Sequence, residues 1–304
     1  MTASTPPKEI TLLIDGDTIA FTAAAAAQKV AEDDFGYFQP FAYRPEGEAI
    51  VDNLLTGLEM LFNETHYRIA LSDPERNWRK DIFPDYKANR KDVARPLLLG
   101  VLKQYLRDKY GAFHYDGLEA DDVLGILNTE EQEYPGERIL VGKDKDFLTI
   151  PCKYHRIGDW TPSKKPIVRE TTENQARLAL IKQTLMGDAI DGYAGCPGIG
   201  KERAERLLAD PVLLRPEPGS ITRGVNKGKP TTKWVAEPTG DLWGMVVSHY
   251  AKAYKGDFEE ARKQALLTAR LAHILQADDY NKRTGEITLW TPDKLKRLTT
   301  PTAG

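Results

Sequence analysis

Short apolar runs alternate with helix-like stretches through the first half of the chain. The runs at residues 10–14, 67–71, 112–115 and 138–141 have the length of buried strands. Between them, the spacing of apolar positions predicts helices, which are residues 18–30, 48–62, 96–109 and 118–127. Because strands that alternate with helices form parallel, doubly wound sheets, the pattern predicts an α/β domain.

The second half has a different pattern. From residue 173 onward the periodicity is mostly helical, which predicts a division into residues 1–172 and residues 173–304. Residues 216–240 are rich in Pro, Gly, Lys and Thr, a composition typical of a surface loop, and we interpret them as a basic insertion. The helical pattern returns over residues 242–276.

Carboxylates follow the predicted strands or form short acidic clusters. Nine are candidate metal ligands: Asp15, Asp73, Glu119, Asp121, Asp122, Asp144, Asp146, Asp188 and Asp191. Because open α/β sheets build their sites at the carboxyl ends of the strands, we expect one acidic pocket at the sheet edge. Mg²⁺ and Mn²⁺ prefer oxygen ligands, and two such ions can clamp a phosphodiester for attack by water.

Each acidic cluster also has a simpler interpretation. The acids in residues 119–122 suit the first turn of any helix, and residues 187–192 fit an Asx turn. Asp144 and Asp146 resemble the start of a calcium loop, but the residues that follow them lack its third ligand and its glycine. The conjunction of the clusters, rather than any one of them, favours a metal pocket.

Composition and charge indicate which kinds of molecule the protein could bind. The formal net charge is −3, but without the nine candidate acids the balance is +6, so the remaining surface is mildly basic. Residues 74–95 contain seven bases against four acids, with Trp78, Phe83 and Tyr86 among them. Such a mixture suits a phosphate backbone and unstacked bases, although a solvated loop is the simpler interpretation.

Other residue types exclude several classes of protein. Cys152 and Cys196 are far apart and form no C-x-x-C pair, so neither a disulfide framework nor a zinc site is indicated. The apolar content of 41% is enough for a sizeable core, yet no apolar run approaches the length of a membrane span. We therefore expect a cytoplasmic protein.

A glycine-rich turn opens a predicted helix at residues 195–208. Gly198 and Gly200 would let backbone amides at the helix start approach a phosphate closely, as in a helix-hairpin-helix. The simpler interpretation is an ordinary helix start after a Pro-Gly turn.

The motifs together resemble the 5′ nuclease superfamily of flap endonucleases and 5′→3′ exonucleases, especially its phage members that remove RNA primers. The resemblance is carried by residues 13–17, 77–80, 85–91, 119–122, 143–147 and 187–193. It implies an α/β, parallel-sheet core of the PIN or 5′-nuclease type. A helical arch at about 74–95 and a helical C-terminal lobe with a helix-hairpin-helix at about 188–208 complete the implied fold.

The resemblance also implies roles for individual residues. Ligands of the first metal would be Asp15, Asp73, Glu119 and Asp121, and those of the second would be Asp144, Asp146, Asp188 and Asp191, with Asp121 or Asp122 serving both. Lys87 and Arg90 match the basic pair of the arch and, with Asp15 and Asp144, are the expected catalytic residues. The expected DNA contacts are Arg79, Lys80, Tyr86, Lys91, Gly198, Gly200, Lys201 and Arg203. Expected cofactors are two Mg²⁺ or Mn²⁺ ions, with K⁺ at the helix-hairpin-helix.

The implied function is structure-selective 5′→3′ exonuclease activity, with flap endonuclease activity, in phage DNA replication or genome degradation. Substrates would be duplex DNA with 5′ ends or flaps and RNA–DNA hybrids. Replication proteins are expected partners of a monomer in the host bacterial cytoplasm. Two features depart from the family pattern: Glu202 occupies the place of a base in the hairpin, and residues 74–95 are short for an arch.

Two other hypotheses remain open at this stage. Residues 15–18 also fit the start of a haloacid-dehalogenase-type phosphatase, in which Asp15 would be a nucleophile. That hypothesis leaves Asp73, the acids at 119–122 and the hairpin without a role. A catalytically silent DNA-binding relative is the non-enzymatic alternative, although all the expected carboxylates are present.

Overall fold

The computed structural model describes residues 10–63, 66–130, 136–143, 145–159 and 165–295. These fall into two compact units, and each contains several segments of the chain. Unit 1 holds the described parts of Met1–Asp81, Asp92–Thr172 and Ile274–Thr288, and unit 2 those of Ile82–Lys91, Glu173–His273 and Leu289–Gly304. The sequence had placed residues 82–91 in the first domain and residues 274–288 in the second, and the structure assigns each to the other unit.

The elements follow one another in mixed order. The helices are α1 (Gly16–Ala27), α2 (Arg44–Phe62), α3 (Arg79–Ile82), α4 (Leu99–Tyr110), α5 (Ala120–Thr129), α6 (Glu173–Met186), α7 (Lys201–Ala209), α8 (Leu242–Ala253) and α9 (Phe258–Ala272). The strands are β1 (Ile10–Asp15), β2 (Lys29–Glu32), β3 (Phe38–Phe41), β4 (Tyr67–Ala70), β5 (Glu137–Gly142), β6 (Cys152–Arg156), β7 (Val168–Thr171), β8 (Gly187–Asp188), β9 (Tyr193–Ala194), β10 (Val212–Ser220), β11 (Pro230–Pro238), β12 (Tyr280–Asn281) and β13 (Glu286–Ile287).

Unit 1 is built on a five-stranded sheet in the order β4-β1-β5-β6-β7. The pairs among β4, β1, β5 and β6 are parallel, and β7 is an antiparallel edge strand. β1 is almost wholly buried, as expected for a central parallel strand that is covered on both faces. The predicted α/β class with a parallel sheet is confirmed.

Helices α1, α2 and α4 pack together in the main core of unit 1. The core face of α1 consists largely of Ile19 and small residues such as Ala23 and Ala24, all completely buried. A side chain at Gly16 would lie 2.7 Å from Ile69, so the start of α1 fits closely against β4. α5 packs against β1, β4 and β5.

The predicted helical arch is not a continuous helix. Over residues 74–95 the structure has the single turn α3 and a 3₁₀ turn at Ala88–Arg90. Pro84 lies between them and cannot donate a backbone hydrogen bond, which separates the two turns. The predicted strand at residues 112–115 is also reduced, to a single bridge between Ala70 and Phe113.

Unit 2 is mainly helical. α6 and α7 are joined by the two-residue strands β8 and β9, and their apolar faces pack with α8 and α9. The predicted helix at residues 242–276 divides into α8 and α9, because Lys255 and Gly256 take positive φ values of 57° and 95°. Asp257 then caps α9. In the described part of the chain, no helix has both the length and the apolar character needed to cross a membrane.

Residues 216–240, interpreted as a basic insertion with the composition of a loop, belong largely to a long hairpin. β10 and β11 pair antiparallel from Val212 opposite Pro238 to Ser220 opposite Pro230. The prolines and glycines suggested a loop, but prolines are compatible with strands that leave an edge unpaired.

Candidate active site

Four of the predicted acids lie at the carboxyl edge of the unit 1 sheet. Asp15 is the last residue of β1 and caps α1 by accepting a hydrogen bond of 3.0 Å from the Thr18 backbone N–H. Asp73 follows β4, and Glu119 and Asp121 lie at the start of α5. The structure therefore brings Asp15, Asp73, Glu119 and Asp121 to one edge, as the sequence predicted for strand ends.

A hydrogen bond and a close contact between neighbouring segments fix the structure of this edge. The Ala120 N–H donates to the Ser72 hydroxyl at 3.0 Å, which ties the start of α5 to the residues after β4. A side chain added to Gly142 would lie 3.4 Å from the Cβ of Asp15, so the end of β5 passes beside that acid. The turn after β5 carries Asp146, and the predicted ligand Asp144 lies outside the described residues.

Asp73 has two neighbours that the sequence did not single out. One ligand atom each of Asp73, His114 and Asp116 lie within 4.8 Å of one another, the only such His, Cys, Asp or Glu group in the part of the chain described. Two carboxylates and an imidazole can hold a divalent cation. The imidazole nitrogen suits Mn²⁺ better than Mg²⁺, which prefers oxygen ligands. The only sequence signal was the place of His114 within the run at residues 112–115 and of Asp116 directly after it.

The Asp73 carboxylate is stabilised in its charged form. Burial raises the pKa of Asp73, but hydrogen bonds from the backbone N–H groups of Gly117, Glu75 and Arg76 outweigh this and leave the pKa below its ordinary value. The shortest of these three bonds, from the Gly117 N–H, measures 2.6 Å. Asp73 is therefore ionised and preorganised to face a cation at neutral pH.

Asp122 and Arg79 form a buried ion pair instead of facing the substrate. Asp122 is completely buried, and Arg79 is 3% exposed. The guanidinium donates to both Asp122 oxygens at 2.6 and 2.9 Å, while Trp78 Nε1 and the Leu275 N–H add bonds of 2.9 and 3.1 Å. Each carboxylate oxygen thus accepts two hydrogen bonds.

These contacts correct two predicted roles. Asp122 is completely buried and its charge is balanced by the bidentate guanidinium of Arg79, so the structure does not support it as a metal ligand. Arg79 is enclosed and cannot reach DNA, but its guanidinium also contacts Glu119 Oε2 at 3.1 Å. Arg79 therefore positions a candidate ligand.

In unit 2, Asp188 is the last residue of β8, and Asp191 lies on the turn between β8 and β9. The Ile190 N–H donates to Asp188 Oδ1 at 2.8 Å, so the segment is an Asx turn as well as a candidate ligand pair. Asp191 accepts a hydrogen bond of 2.5 Å from Arg90 Nη2, and Lys87 Nζ lies 3.7 Å from the same oxygen. The predicted basic pair is thus held at this acid.

Tyr86, one of the expected DNA contacts, is enclosed by the protein. Its side chain is 2% exposed, its hydroxyl donates to Asp191 Oδ2 at 2.9 Å, and its ring stacks on Tyr193 with centroids 6.3 Å apart. Tyr86 is therefore a packing residue that orients Asp191. By contrast, the predicted DNA contacts Lys80 and Lys91 are exposed.

The helix-hairpin-helix turn leaves an open surface. Gly200 is the N-terminal cap of α7, and Gly198 has a φ of 78°, which favours glycine. No heavy atom lies within 4 Å of the position that a side chain would take at either glycine. Lys201 and Arg203 are exposed at the start of the helix, so backbone and side-chain donors are accessible together.

Comparison with known proteins gives the family. The family model described as "5'-3' exonuclease, N-terminal resolvase-like domain" matches residues 10–176. The chain is 32% identical to an exodeoxyribonuclease of Enterobacteria phage T3, over 92% of both chains. It is 31% identical to an exonuclease of Escherichia phage T7, over 92% of this chain and 93% of that protein.

A solved structure is similar in fold. The zinc-bound 5′-exonuclease of T5 superposes with a TM-score of 0.55 at 14% identity, covering 87% of this chain and 89% of that one. This likeness confirms the predicted PIN-like fold. The match of the family model to more than half of the chain, and of the phage relatives to nearly all of it, confirms the resemblance and removes the phosphatase hypothesis. The chain belongs to the 5′→3′ exonuclease family and is a nuclease.

Proposed function

We propose that this protein is a structure-selective exonuclease that removes nucleotides from 5′ ends of duplex DNA, or of RNA primers in RNA–DNA hybrids, and also cuts 5′ flaps. The observation that carries the proposal is the set of acids at the carboxyl edge of the parallel sheet, Asp15, Asp73, Glu119 and Asp121. The phage T3 relative is named an exodeoxyribonuclease, which supports DNA as a substrate. A monomer in a bacterial cytoplasm, acting beside replication proteins of a phage, is the setting we propose.

The donor set fits hard divalent cations. Carboxylates that share one edge repel one another, and a bound cation offsets that repulsion while their oxygens replace its water. We propose Mg²⁺ or Mn²⁺ at Asp15, Asp73, Glu119 and Asp121, and a second such ion in addition, as the resemblance implies. When bound, such ions lower the pKa of water and stabilise charge on the phosphate oxygens.

Other residues of the protein would orient the metal ligands and contact the substrate. Arg79 and the backbone N–H of Gly117 fix the orientation of Glu119 and Asp73. We propose that Lys87 and Arg90, which contact Asp191, offset the negative charge that grows on the scissile phosphate. The open backbone at Gly198 and Gly200 would hold a duplex phosphate, with K⁺ as the proposed ion there.

Digestion of a labelled duplex tests the proposal. Duplex DNA that carries a label at one 5′ end, or at one 3′ end, is incubated with Mg²⁺ or with EDTA, and the products are sized over time. We expect early release of short 5′-labelled products, progressive shortening of 3′-labelled strands, and no reaction with EDTA. A folded sample that cuts neither substrate with Mg²⁺ or Mn²⁺ would overturn the proposal and favour the catalytically silent relative.

A flap substrate separates the two activities. A duplex with a labelled single-stranded 5′ flap yields a fragment of flap length if the enzyme cuts endonucleolytically, and short nucleotides if it acts only from the end. The same substrates with RNA in the cleaved strand measure the preference between RNA and DNA.

A further inference from the structure

The hairpin of β10 and β11, which we call the basic hairpin, extends from unit 2 as a two-stranded ribbon. Its strands pair over nine residues each, so the ribbon is about 30 Å long. Its base is anchored on both strands: Leu214 is 6% exposed and its N–H donates to the Ser248 hydroxyl at 3.0 Å, and the Trp234 ring packs against Phe258 with centroids 6.2 Å apart. Residues 222–233 are all exposed. The outer half therefore adds nothing to a core, and its sequence is not set by packing.

The charge of this outer half is of one sign. Residues 222–233 contain four bases and no acid, and the bases are Arg223, Lys227, Lys229 and Lys233. Ion pairing occurs nearer the base of the ribbon, where Arg215 Nε lies 2.7 Å from Glu237. Glu217 stands opposite Lys233 in the register, so the three bases of the turn lie farthest from the hairpin's acids.

The turn that carries these bases is ordered by its own hydrogen bonds. The Ile221 N–H donates to the Lys229 carbonyl at 3.0 Å, and the Gly228 N–H donates to the Ile221 carbonyl at 2.8 Å. Gly224 and Gly228 take positive φ values of 81° and 86°, which a tight turn of this kind requires. A preformed loop loses less conformational entropy on binding than a disordered basic tail would.

Two simpler explanations account for only part of the hairpin. Lysines and prolines keep exposed strand edges from pairing with other chains, and Pro216, Pro218 and Pro230 serve that purpose. That role belongs to residues on the strands, whereas three of the four bases are on the turn. Charges of either sign would keep the hairpin soluble, whereas its outer half carries only positive charges.

The chemistry of the surface favours a polyphosphate over a protein. Protein interfaces are anchored by aromatic and large apolar side chains, but the exposed turn offers only Val225. Contacts to a phosphate backbone need only Lys and Arg at intervals and no pocket. We propose that the basic hairpin binds the phosphate backbone of duplex DNA without regard to sequence and lengthens the stretch of duplex that the nuclease holds. This inference rests on the proposed function, since it takes the substrate duplex as the ligand.

Salt dependence of binding tests this inference with two matched variants. The first replaces Arg223, Lys227, Lys229 and Lys233 by Gln. The second makes the same change at four exposed bases of α8, α9 and their connection, Lys252, Lys255, Arg262 and Lys263, so that each variant loses one Arg and three Lys. Binding to a blunt duplex of 30 base pairs is measured in EDTA over a series of salt concentrations. A third variant, with Lys227, Lys229 and Lys233 changed to Arg, keeps the charge.

Each phosphate contact contributes about 0.9 to the slope of log K against log salt. We expect the hairpin variant to lose about 3 from this slope, the control variant less than 1, and the Arg variant nothing. Circular dichroism and the melting temperature should match the wild type, because the substituted residues are exposed. A hairpin variant with the wild-type slope, or a control with an equal loss, would overturn the inference.

The two proposals fail in different ways. Binding in EDTA does not require cleavage, so loss of the hairpin contribution would be visible even in a protein that cuts nothing. Conversely, a wild-type protein that digests the labelled duplex with Mg²⁺ supports the nuclease whatever the hairpin variant does.

Discussion

Two neighbouring acids on the first turn of α5 have opposite expected roles. Asp122 is completely buried and holds the buried guanidinium of Arg79 through two hydrogen bonds. Asp122→Asn would leave Arg79 without its balancing charge, and breaking a buried ion pair costs about 3–5 kcal/mol. We expect a loss of that size in the free energy of unfolding, measured by urea denaturation.

Asp121→Asn is the matched control, because Asp121 is only half-buried and adjacent in sequence. We expect its free energy of unfolding to stay within about 1 kcal/mol of the wild type. Its Mg²⁺-dependent cleavage should fall by about 100-fold or more, since the substitution removes a proposed ligand charge. Equal stabilities for the two variants would contradict the assignment of Asp122 to structure.

Lys87 lets catalysis be separated from binding. Its backbone has a φ of 56°, and its N–H donates to the Asp191 carbonyl at 2.8 Å, so alanine there would retain backbone strain. Lys87→Gly removes the ammonium and keeps that conformation accessible. We expect kcat to fall by about 100-fold, with duplex affinity within about threefold of the wild type, in single-turnover and binding assays. Equal losses in both quantities would show that Lys87 positions the substrate.

At the residue scale, the sequence identifies chemistry but not burial. Arg79 and Tyr86 lie in a segment of bases and aromatics, and nothing local distinguishes them from the exposed Lys80 and Lys91. Their partners, Asp122 and Asp191, are 43 and 105 residues away. Asp15, Glu119 and Asp121 could be predicted, because their position depends only on the end of a strand or the start of a helix.

At the scale of elements, α8 carries a buried histidine that connects pH to the anchoring of the basic hairpin. His249 is 5% exposed, and its Nε2 lies 3.3 Å from the carbonyl of Val212, the first residue of β10. Burial lowers the pKa of His249 to about 4 from an ordinary value of 6.5, and the nearby charges of Arg203 and Lys252 act in the same direction. The folded state thus holds this ring neutral at pH values where the unfolded chain is protonated.

The consequence is a loss of stability in mild acid. Because the unfolded state binds the extra proton first, the free energy of unfolding falls as the pH drops from about 6.5 to about 4, by about 3 kcal/mol from this group. In His249→Gln the side chain stays neutral and can still donate to Val212. We expect urea denaturation at several pH values to give a flatter profile for the variant between pH 6.5 and 4. A profile parallel to the wild type would show that other groups cause the acid sensitivity.

Elements were predictable where one local pattern dominates. β1, β4 and β5 are apolar runs bounded by polar residues, so the parallel sheet followed from the sequence. β6 and β7 contain charged residues such as Lys153 and Glu170, which face each other across the pair, and a local pattern cannot reveal that pairing. The strands of the basic hairpin could not be predicted for the same reason. Pairing between β10 and β11 stabilises them, whereas their composition is typical of a loop.

At the scale of the whole molecule, the connectivity interleaves the two units. The chain passes from one unit to the other after residues 81, 91, 172, 273 and 288. Neither unit is therefore one continuous segment of the chain. When one unit unfolds, the ends of the segments that form the other unit are released. Such connectivity favours cooperative unfolding of the whole chain, although each unit has its own core.

The two cysteines allow this cooperativity to be measured, because Cys152 lies in unit 1 and Cys196 in unit 2. Burial raises the pKa of both thiols to about 12, so each is protonated and protected in the native state at pH 8. We expect negligible reaction with a thiol reagent in native buffer. With increasing urea, labelling of the variants Cys152→Ser and Cys196→Ser, each left with one thiol, should then appear over the same range of concentration. Two separate transitions, with each variant's stability corrected for its own substitution, would show instead that the units unfold independently despite their interleaved connections.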